Sequence, residues 1–254
     1  MKKIILTKLE EIERREKVRI VFACESGSRA WGFASQDSDW DVRFLYIRPV
    51  EWYLAIDICG KRDVIELPLE DDLDINGWDL RKALRLYWKS NPPLLEWLDS
   101  PMIYLEQGIV PDRLRALRKT FFSPQSSWYH YLNMAKRNYR EYLQGDVVWL
   151  KKYLYVLRPL LAVRWLERGL GPVPTPFQTL VDTVLEGQEI QEAIANLLME
   201  KMQGKELARG PRIPTLSHFL EAEFARHEEA PGPSSLDKPT MEPLNDLFRE
   251  ALAE

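Results

Sequence analysis

The chain has 254 residues, of which 45% are apolar, and 35 Lys+Arg against 39 Asp+Glu give a formal net charge of −4. This composition excludes a disordered or fibrous protein. The chain is long enough to bury a hydrophobic core in one large or two small domains. Two cysteines, Cys24 and Cys59, exclude a disulfide scaffold. Because both lie in apolar stretches, we expect two buried thiols in a reducing cytosol.

The charge is unevenly distributed along the chain. Residues 113–168 contain 12 Lys+Arg and 3 Asp+Glu, a local balance of +9, which leaves −13 for the rest. A basic block inside an acidic chain is typical of a protein with an anionic partner. The net charge alone argues against a nucleic-acid binder, whereas its distribution does not.

Neither an export signal nor a membrane span is predicted. The apolar start, Met1 to Leu6, stops at Thr7-Lys8, short of the ~7–15 apolar residues of a signal peptide. Nowhere do ~18 apolar residues run together. We therefore expect a cytoplasmic protein.

The first part of the chain alternates between helical and strand patterns. Apolar residues at helical spacing predict a helix over 4–16, and β-branched or alternating runs predict strands. The strand candidates are 18–24, 40–47, 51–58, 63–67 and a short one in 71–75. A short helix containing Ala30 and Trp31 is predicted after the first strand, and a longer helix begins near Asp79 and ends at Asn91-Pro92-Pro93.

After about residue 110 the strand patterns largely vanish. Helical periods cover 124–144, 147–168, 187–203 and 215–228, a proline-rich exposed loop is predicted over 229–243, and the last dozen residues predict a terminal helix. The shift near residue 110 divides the chain into a half that mixes helices and strands and a helical half.

A glycine–serine turn, Gly27-Ser28, separates the first predicted strand from the short helix. Glycine lets the backbone approach a ligand closely, and free amides at a helix start together with a serine hydroxyl suit a phosphate. By itself the dipeptide indicates only a turn.

Two aspartates, Asp39 and Asp41, stand two residues apart at the start of the predicted strand 40–47. Because strand side chains alternate, both carboxylates project from one face and Trp40 projects from the other. Neighbouring carboxylates repel each other without a cation, and Mg²⁺ would relieve that repulsion and bridge phosphate oxygens. The pair alone also fits a solvated turn.

In combination these features are more specific. The Gly27-Ser28 turn, the short helix with Gly32, and the segment Ser38 to Asp41 opening an apolar strand resemble the signature of the DNA polymerase β-like nucleotidyltransferase superfamily. The resemblance implies an α+β fold, with a nucleotidyltransferase domain over 1–110 that has a small mixed sheet and helices on one face, followed by an all-helical domain over 111–254. It also implies that the turn holds a triphosphate and that the two aspartates hold metal ions. The stretches Asp74 to Lys82 and Asn91 to Leu98 resemble the YcgL/RlaP-type branch of predicted nucleotidyltransferases, some of which are associated with RNA repair.

The resemblance also implies a third carboxylate on a neighbouring strand. The candidates are Glu66, Asp71, Asp72 and Asp74. The branch pattern favours Asp74, which precedes a helix. Glu66 remains the alternative because Val64 to Leu67 is a better strand.

Three basic residues are candidate triphosphate contacts. Arg81 and Lys82 are expected within two helical turns of Asp74, and Arg29 directly follows Ser28. Lysine would act as a point charge and arginine as a fork. For each of them, an exposed helix charge is the alternative.

The predicted helices of the basic block mix cationic and aromatic side chains. Such mixing fits phosphate contacts and base stacking with RNA. It fits equally two amphipathic helices whose aromatic side chains pack inside while the cations face the acidic half. Both interpretations stay open at this stage.

The resemblance implies transfer of a nucleotidyl group from a nucleoside triphosphate, with ATP expected, to a hydroxyl acceptor with release of pyrophosphate. The expected acceptor is an RNA end bound through residues 113–168. A protein side chain, as in antitoxin-type relatives, a small molecule such as an aminoglycoside, or an inactive scaffold that binds nucleic acid or protein are the alternatives. Catalysis and the binding of two Mg²⁺ ions are expected of Asp39, Asp41 and Asp74. Binding of the nucleotide is expected of Gly27, Ser28, Arg29 and Lys82.

Overall fold

A computed structural model describes residues 1–69, 72–203, 209–228, 232–234 and 237–254. The strands in these residues are β1 (Arg19–Glu25), β2 (Trp40–Ile47), β3 (Val64–Glu66), β4 (Leu73–Asp79), β5 (Ile103–Glu106), β6 (Val147–Trp149) and β7 (Arg209–Pro211). The helices are α1 (Lys2–Glu16), α2 (Gly27–Ala30), α3 (Val50–Tyr53), α4 (Leu80–Trp88), α5 (Pro92–Leu98), α6 (Val110–Phe121), α7 (Pro124–Tyr142), α8 (Lys152–Glu167), α9 (Phe177–Val184), α10 (Gln188–Met202), α11 (Pro214–Arg226) and α12 (Glu242–Ala253).

The chain forms two compact units. Unit 1 consists of Met1–Ala30, Asp39–Phe122 and Asp237–Glu254, and unit 2 consists of Trp31–Ser38 and Ser123–Leu236. The terminal helix α12, which the sequence pattern placed in the helical half, therefore belongs to unit 1. The short segment after α2 belongs to unit 2 although both of its flanks lie in unit 1.

Unit 1 is built on a mixed sheet of five strands in the order β3-β4-β2-β1-β5. β2 and β4 are parallel, whereas the other neighbouring pairs are antiparallel. The carboxyl end of β1 and the amino ends of β2 and β4 consequently meet at one edge of the sheet. A small mixed sheet with helices confirms the α+β fold class.

Helices cover both faces of this sheet, so the expectation of helices on one face is wrong. Ile5, Leu9 and Ile12 of α1 pack with one set of strand residues, among them Val42 and Phe44. A second apolar core joins Leu45 and Ile47 of β2 to α4, α5, α6 and α12. Alternation along β2 separates the two sets.

The predicted strand over 51–58 is also wrong. Val50–Tyr53 forms helix α3 directly after Pro49, and Ile58–Gly60 forms a 3₁₀ turn. A tertiary contact overrides the strand preference here, because the Tyr53 hydroxyl donates a hydrogen bond of 2.7 Å to the Asp79 carboxylate. Without a strand at this point Cys59 is exposed, while Cys24 is buried in β1 as expected.

The structure differs from the predicted secondary structure at several other places. The helix predicted over 147–168 begins only at Lys152, because Val147–Trp149 pairs as β6 with β7. Strand β5 and helices α6 and α9 were not predicted as separate elements. Residues 229–231 and 235–236 of the predicted loop, and Asp71, lie outside the described residues.

Unit 2 is arranged around α8, whose residues are buried on nearly every side. α7 and α9 pack beside α8, and α10 packs on α11. The Arg164 guanidinium of α8 makes two hydrogen bonds, of 2.9 and 2.8 Å, to the Glu223 carboxylate of α11. Within the described parts of the chain, no helix combines the length and the apolar character needed to cross a membrane.

We expect a pH-dependent contribution to stability from Glu167 at the end of α8. Although burial opposes the effect, hydrogen bonds from His227, Trp128 and Arg226 lower the pKa of this carboxyl from 4.5 to about 2. A carboxyl whose pKa is lower in the folded state stabilises the fold above its ordinary pKa and loses that contribution as the pH falls. The difference in unfolding free energy between wild type and Glu167→Gln should therefore be constant above about pH 5 and shrink between about pH 4.5 and 2, as measured by denaturant titration.

Glu186→Gln is the matched control for this measurement. The Glu186 side chain is 83% exposed and pairs with Arg168 across 2.6 Å. An exposed pair contributes little. A Glu167→Gln difference that is the same at pH 3 and pH 7 would contradict the assignment.

Candidate active site

Two of the three predicted acids are direct neighbours in the sheet. Asp41 of β2 lies opposite Asp74 of β4 in the parallel register. Both residues stand at the amino ends of their strands and on the face opposite Val42 and Ile75, which pack toward α1. Asp39 precedes β2 by one residue and is exposed. The register thus brings Asp41 and Asp74 together at the edge where β1 also ends.

The Arg43 guanidinium lies between these two carboxylates. Its Nη2 donates to Asp41 Oδ1 at 3.0 Å and to Asp74 Oδ2 at 2.7 Å. Its Nη1 donates to the backbone carbonyls of Val42 and Asp74, each at 3.0 Å. One cation therefore neutralises two acids from two strands and also ties the strands together.

Burial sets the electrostatics of this pair. It raises the pKa of Asp41, an effect that Arg43 opposes and that the charges of Asp74 and Asp39 reinforce. The Asp41 side chain is 25% exposed, whereas that of Asp74 is 42% exposed. Asp74 is accordingly the more accessible of the two acids.

Glu25, the last residue of β1, fixes the start of β2. Its Oε1 accepts a hydrogen bond of 2.8 Å from the Asp41 backbone amide, and its Oε2 accepts one of 2.5 Å from the Tyr104 hydroxyl. The residue is fully buried, and burial raises its pKa. Glu25 acts through the backbone and holds Asp41 in place.

The glycine–serine turn lies directly against the Asp41 carboxylate. Gly27 has φ +57°, and a Cβ added to it would overlap Asp41 Oδ2. Only glycine fits both this conformation and this approach. Ser28 is buried within the single turn of α2.

Arg29 contacts the segment that carries Asp39. Its Nε donates to the Asp39 backbone carbonyl at 3.1 Å, and its guanidinium lies 3.8 Å from the centre of the Trp40 ring. Gly27, Ser28, Arg29, Asp39, Asp41 and Asp74 therefore belong to one edge of the sheet.

The structure does not bring Lys82 to this edge. Asp74 and Asp79 are both in β4, so the strand separates them by about 16 Å at roughly 3.3 Å per residue. Lys82 lies beyond Asp79, in the first turns of α4, where its Nζ pairs with Asp63 at 2.8 Å. The estimate of two helical turns was wrong because residues 74–79 are extended.

Of the alternative third acids, Glu66 lies apart from Asp41, whereas Asp72 is outside the strand that faces β2. Glu66 of β3 is paired with Asn76 in the register, one strand further from β2, and its carboxylate contacts Arg62 and the Asn76 amide. Asp72 precedes β4, and its backbone carbonyl accepts from the Trp40 amide at 2.7 Å. The geometry favours Asp74.

The chemistry of the site suits a divalent cation. Carboxylate oxygens are the preferred ligands of Mg²⁺, and the Arg43 guanidinium already stands where a cation neutralises Asp41 and Asp74. Among the described residues, no three His, Cys, Asp or Glu side chains are grouped closely enough to hold a metal ion. A divalent cation bound between Asp41 and Asp74 would take the place of the Arg43 guanidinium.

Comparisons with known proteins identify the family of the chain. The family model of RlaP, the RNA repair pathway DNA polymerase beta family, matches residues 1–250. The chain belongs to the RlaP family. It is 47% identical over 255 residues to the uncharacterized protein YcgL of Bacillus subtilis (strain 168), a match that covers 100% of this chain and 97% of that protein.

A solved structure matches the RlaP-family chain only distantly. The crystal structure of a nucleotidyltransferase-like protein from Exiguobacterium sibiricum aligns with 98% of this chain and 88% of its own, at 14% identity and a TM-score of 0.33. A score this low supports no argument about the details of the fold.

Two residues of the site were missed by the sequence analysis, Arg43 and Glu25. The signal for Arg43 was present, because strand alternation places positions 39, 41 and 43 on one face. Glu25 carried a weaker signal, a single carboxylate that ends an otherwise apolar strand.

We expect Gly27→Ala to be more destabilising than the same change at Gly32. Both glycines have positive φ, +57° and +86°, but nothing lies within 4 Å of a Cβ added at Gly32. Gly32→Ala should therefore cost only backbone strain, roughly 1–2 kcal/mol. Gly27→Ala adds the overlap with Asp41 and should cost clearly more in chemical denaturation, and equal losses would contradict the close approach.

Proposed function

We propose that this protein is a metal-dependent nucleotidyltransferase that joins a nucleotidyl group from a nucleoside triphosphate, ATP in the first instance, to a hydroxyl group at an RNA end. The observation that carries the proposal is the Asp41–Asp74 pair, held side by side by the parallel register with one cation between them. Membership of a polymerase beta family supports the transferase class. The acceptor and the metal are the parts that need experiment.

Asp39, Asp41 and Asp74 would hold the metal, which we expect to be two Mg²⁺ ions. The bound cations would neutralise phosphate charge and lower the pKa of the acceptor hydroxyl. Arg43 shows that the pair already attracts one positive group. Two half-buried acids with no cation would repel each other, so loss of the guanidinium from between them calls for another cation.

In this proposal the acceptor oxygen forms a bond to the α-phosphorus of the nucleotide, and the bond from that phosphorus to the bridging oxygen breaks. Pyrophosphate leaves with the electron pair. Asp74 takes the hydroxyl proton, a role that suits its greater exposure. Gly27, Ser28 and Arg29 hold the β- and γ-phosphates beside Asp41.

Free positive charge in unit 2 supports RNA as the acceptor. Arg164 and Arg168 of the basic block pair with Glu223 and Glu186. By contrast, five other cations of the block have no carboxylate within ion-pair distance in the portion of the chain that the structure describes. They are Lys136, Arg137, Arg140, Lys151 and Lys152. Unpaired cations of this kind bind phosphates.

Labelled nucleotides test both the reaction and the choice of the third acid. The protein is incubated with α-labelled ATP, Mg²⁺ and either RNA oligonucleotides or a cell protein extract. We expect label on RNA with wild type, and a loss of about 100-fold or more in Asp41→Asn and Asp74→Asn. Glu66→Gln is the matched control and should retain activity, because Glu66 lies a strand further away.

Other outcomes of this assay separate the alternatives. Label on protein instead of RNA would move the acceptor to a protein side chain. Equal activity of Asp74→Asn and wild type would overturn the third-acid assignment. Absence of any transfer, with RNA still bound, would favour an inactive binding scaffold.

A further inference from the structure

Unit 2 contains a group of cations that the proposed transfer chemistry does not use. Lys151 and Lys152 open α8, and Lys201 lies near the end of α10. We call these three residues the lysine cluster. Lys201 and Lys152 contact an aromatic group formed by Trp31, Phe33, Tyr155 and Phe177, and Lys151 Nζ lies 6.0 Å from the centre of the Trp149 ring.

Lys201 is the unusual member of the cluster. It is only 8% exposed, and its Nζ lies 4.5 Å from the centre of the Phe33 ring. Within the residues that the structure describes, no carboxylate pairs with it. A buried ammonium group without a counter-charge is unfavourable, and the aromatic ring compensates only part of the cost.

Lys152 lies on the neighbouring rings. Its Nζ is 4.9 Å from the centre of the Tyr155 ring and 4.1 Å from that of Tyr142. The Tyr155 and Phe33 ring centres are 6.3 Å apart. The ammonium groups of Lys201 and Lys152 therefore lie on adjoining rings of one aromatic cluster.

The lysines also repel one another. Burial and, to a smaller extent, the charge of Lys151 together lower the pKa of Lys201 to about 8. Burial and Lys151 likewise lower the pKa of Lys152. Lys151 thus disfavours the charged forms of both Lys201 and Lys152, although Glu141 favours that of Lys152. An anion bound beside these cations would favour their charged forms.

The surrounding aromatic rings indicate which kind of molecule carries that anion. Trp31 and Tyr155 are half-buried, with ring centres 5.7 Å apart in an edge-on arrangement. Rings that are partly accessible beside cations are the usual surroundings of a nucleotide in single-stranded RNA, whose base stacks while its phosphate meets the charge.

We propose that the lysine cluster binds a phosphate of single-stranded RNA and that Trp31 or Tyr155 contacts the adjoining base. The choice of RNA rests on the proposed function, since RNA is the acceptor there. The site itself is defined by Lys201, Lys152 and their rings and needs none of the transfer residues.

Binding of a fluorescein-labelled RNA oligonucleotide, followed by anisotropy without Mg²⁺, tests this site. Lys201→Met keeps the aliphatic length and removes the charge, and it should weaken RNA binding by about tenfold. The slope of log K against log salt should fall by about one phosphate contact. Lys89→Met, at an exposed lysine after α4, removes the same charge and should leave both quantities unchanged.

Stability measurements keep this test interpretable. Because Lys201→Met removes a buried charge, the variant should melt at or above the temperature of wild type without RNA. Should it melt lower, the double variant Lys151→Met/Lys152→Met, at more accessible positions, carries the same expectation for RNA. Unchanged RNA affinity and salt slope in a folded variant would overturn the proposal.

Further measurements identify which molecule supplies the phosphate and distinguish this proposal from the proposed function. ATP and inorganic phosphate are titrated in place of RNA, and a loss of affinity confined to ATP would overturn the RNA assignment. Weakened RNA binding in Lys201→Met together with absent transfer activity would leave the lysine cluster standing and remove the proposed function.

Discussion

The register of two parallel strands imposes the constraint on which the site depends. Because Asp41 lies opposite Asp74, two carboxylates meet at a partly buried edge, and a cation must lie between them. In this structure the cation is Arg43, with contacts of 3.0 and 2.7 Å to the two acids. The same requirement makes the pair suitable for a divalent ion, so one interaction explains both the resting arrangement and the proposed chemistry.

The surrounding fold holds this edge in place through contacts to the backbone. Glu25 anchors the Asp41 amide from the end of β1, and Gly27 lets the following turn approach the Asp41 carboxylate. Cores on both faces of the sheet fix the strands that present the acids. Asp74 stays more accessible than Asp41, which separates the proposed proton acceptor from the more buried acid.

The alternation of apolar and polar residues predicted those strands whose formation depends on neighbouring residues. The strand Trp40–Ile47 follows from alternation and agrees with the structure, whereas Asp39, which was expected on the same face as Asp41, precedes that strand and is exposed. Contacts between distant residues could not be obtained in this way. The Arg43 bridge depends on the β2–β4 register, Lys82 is remote because β4 continues to Asp79, and Lys201 meets Phe33 only after the chain has folded.

Divalent-ion binding tests the central claim most directly, because it needs neither nucleotide nor acceptor. Mn²⁺ is titrated into wild type and variants and the free ion is followed by electron paramagnetic resonance. We predict that Asp41→Asn and Asp74→Asn lose Mn²⁺ binding. Arg43→Gln lacks the competing guanidinium and should bind Mn²⁺ more tightly than Arg48→Gln. Arg48→Gln is the control because it removes the same charge at the opposite end of β2. Equal Mn²⁺ affinity in wild type, Asp41→Asn and Arg43→Gln would contradict the account.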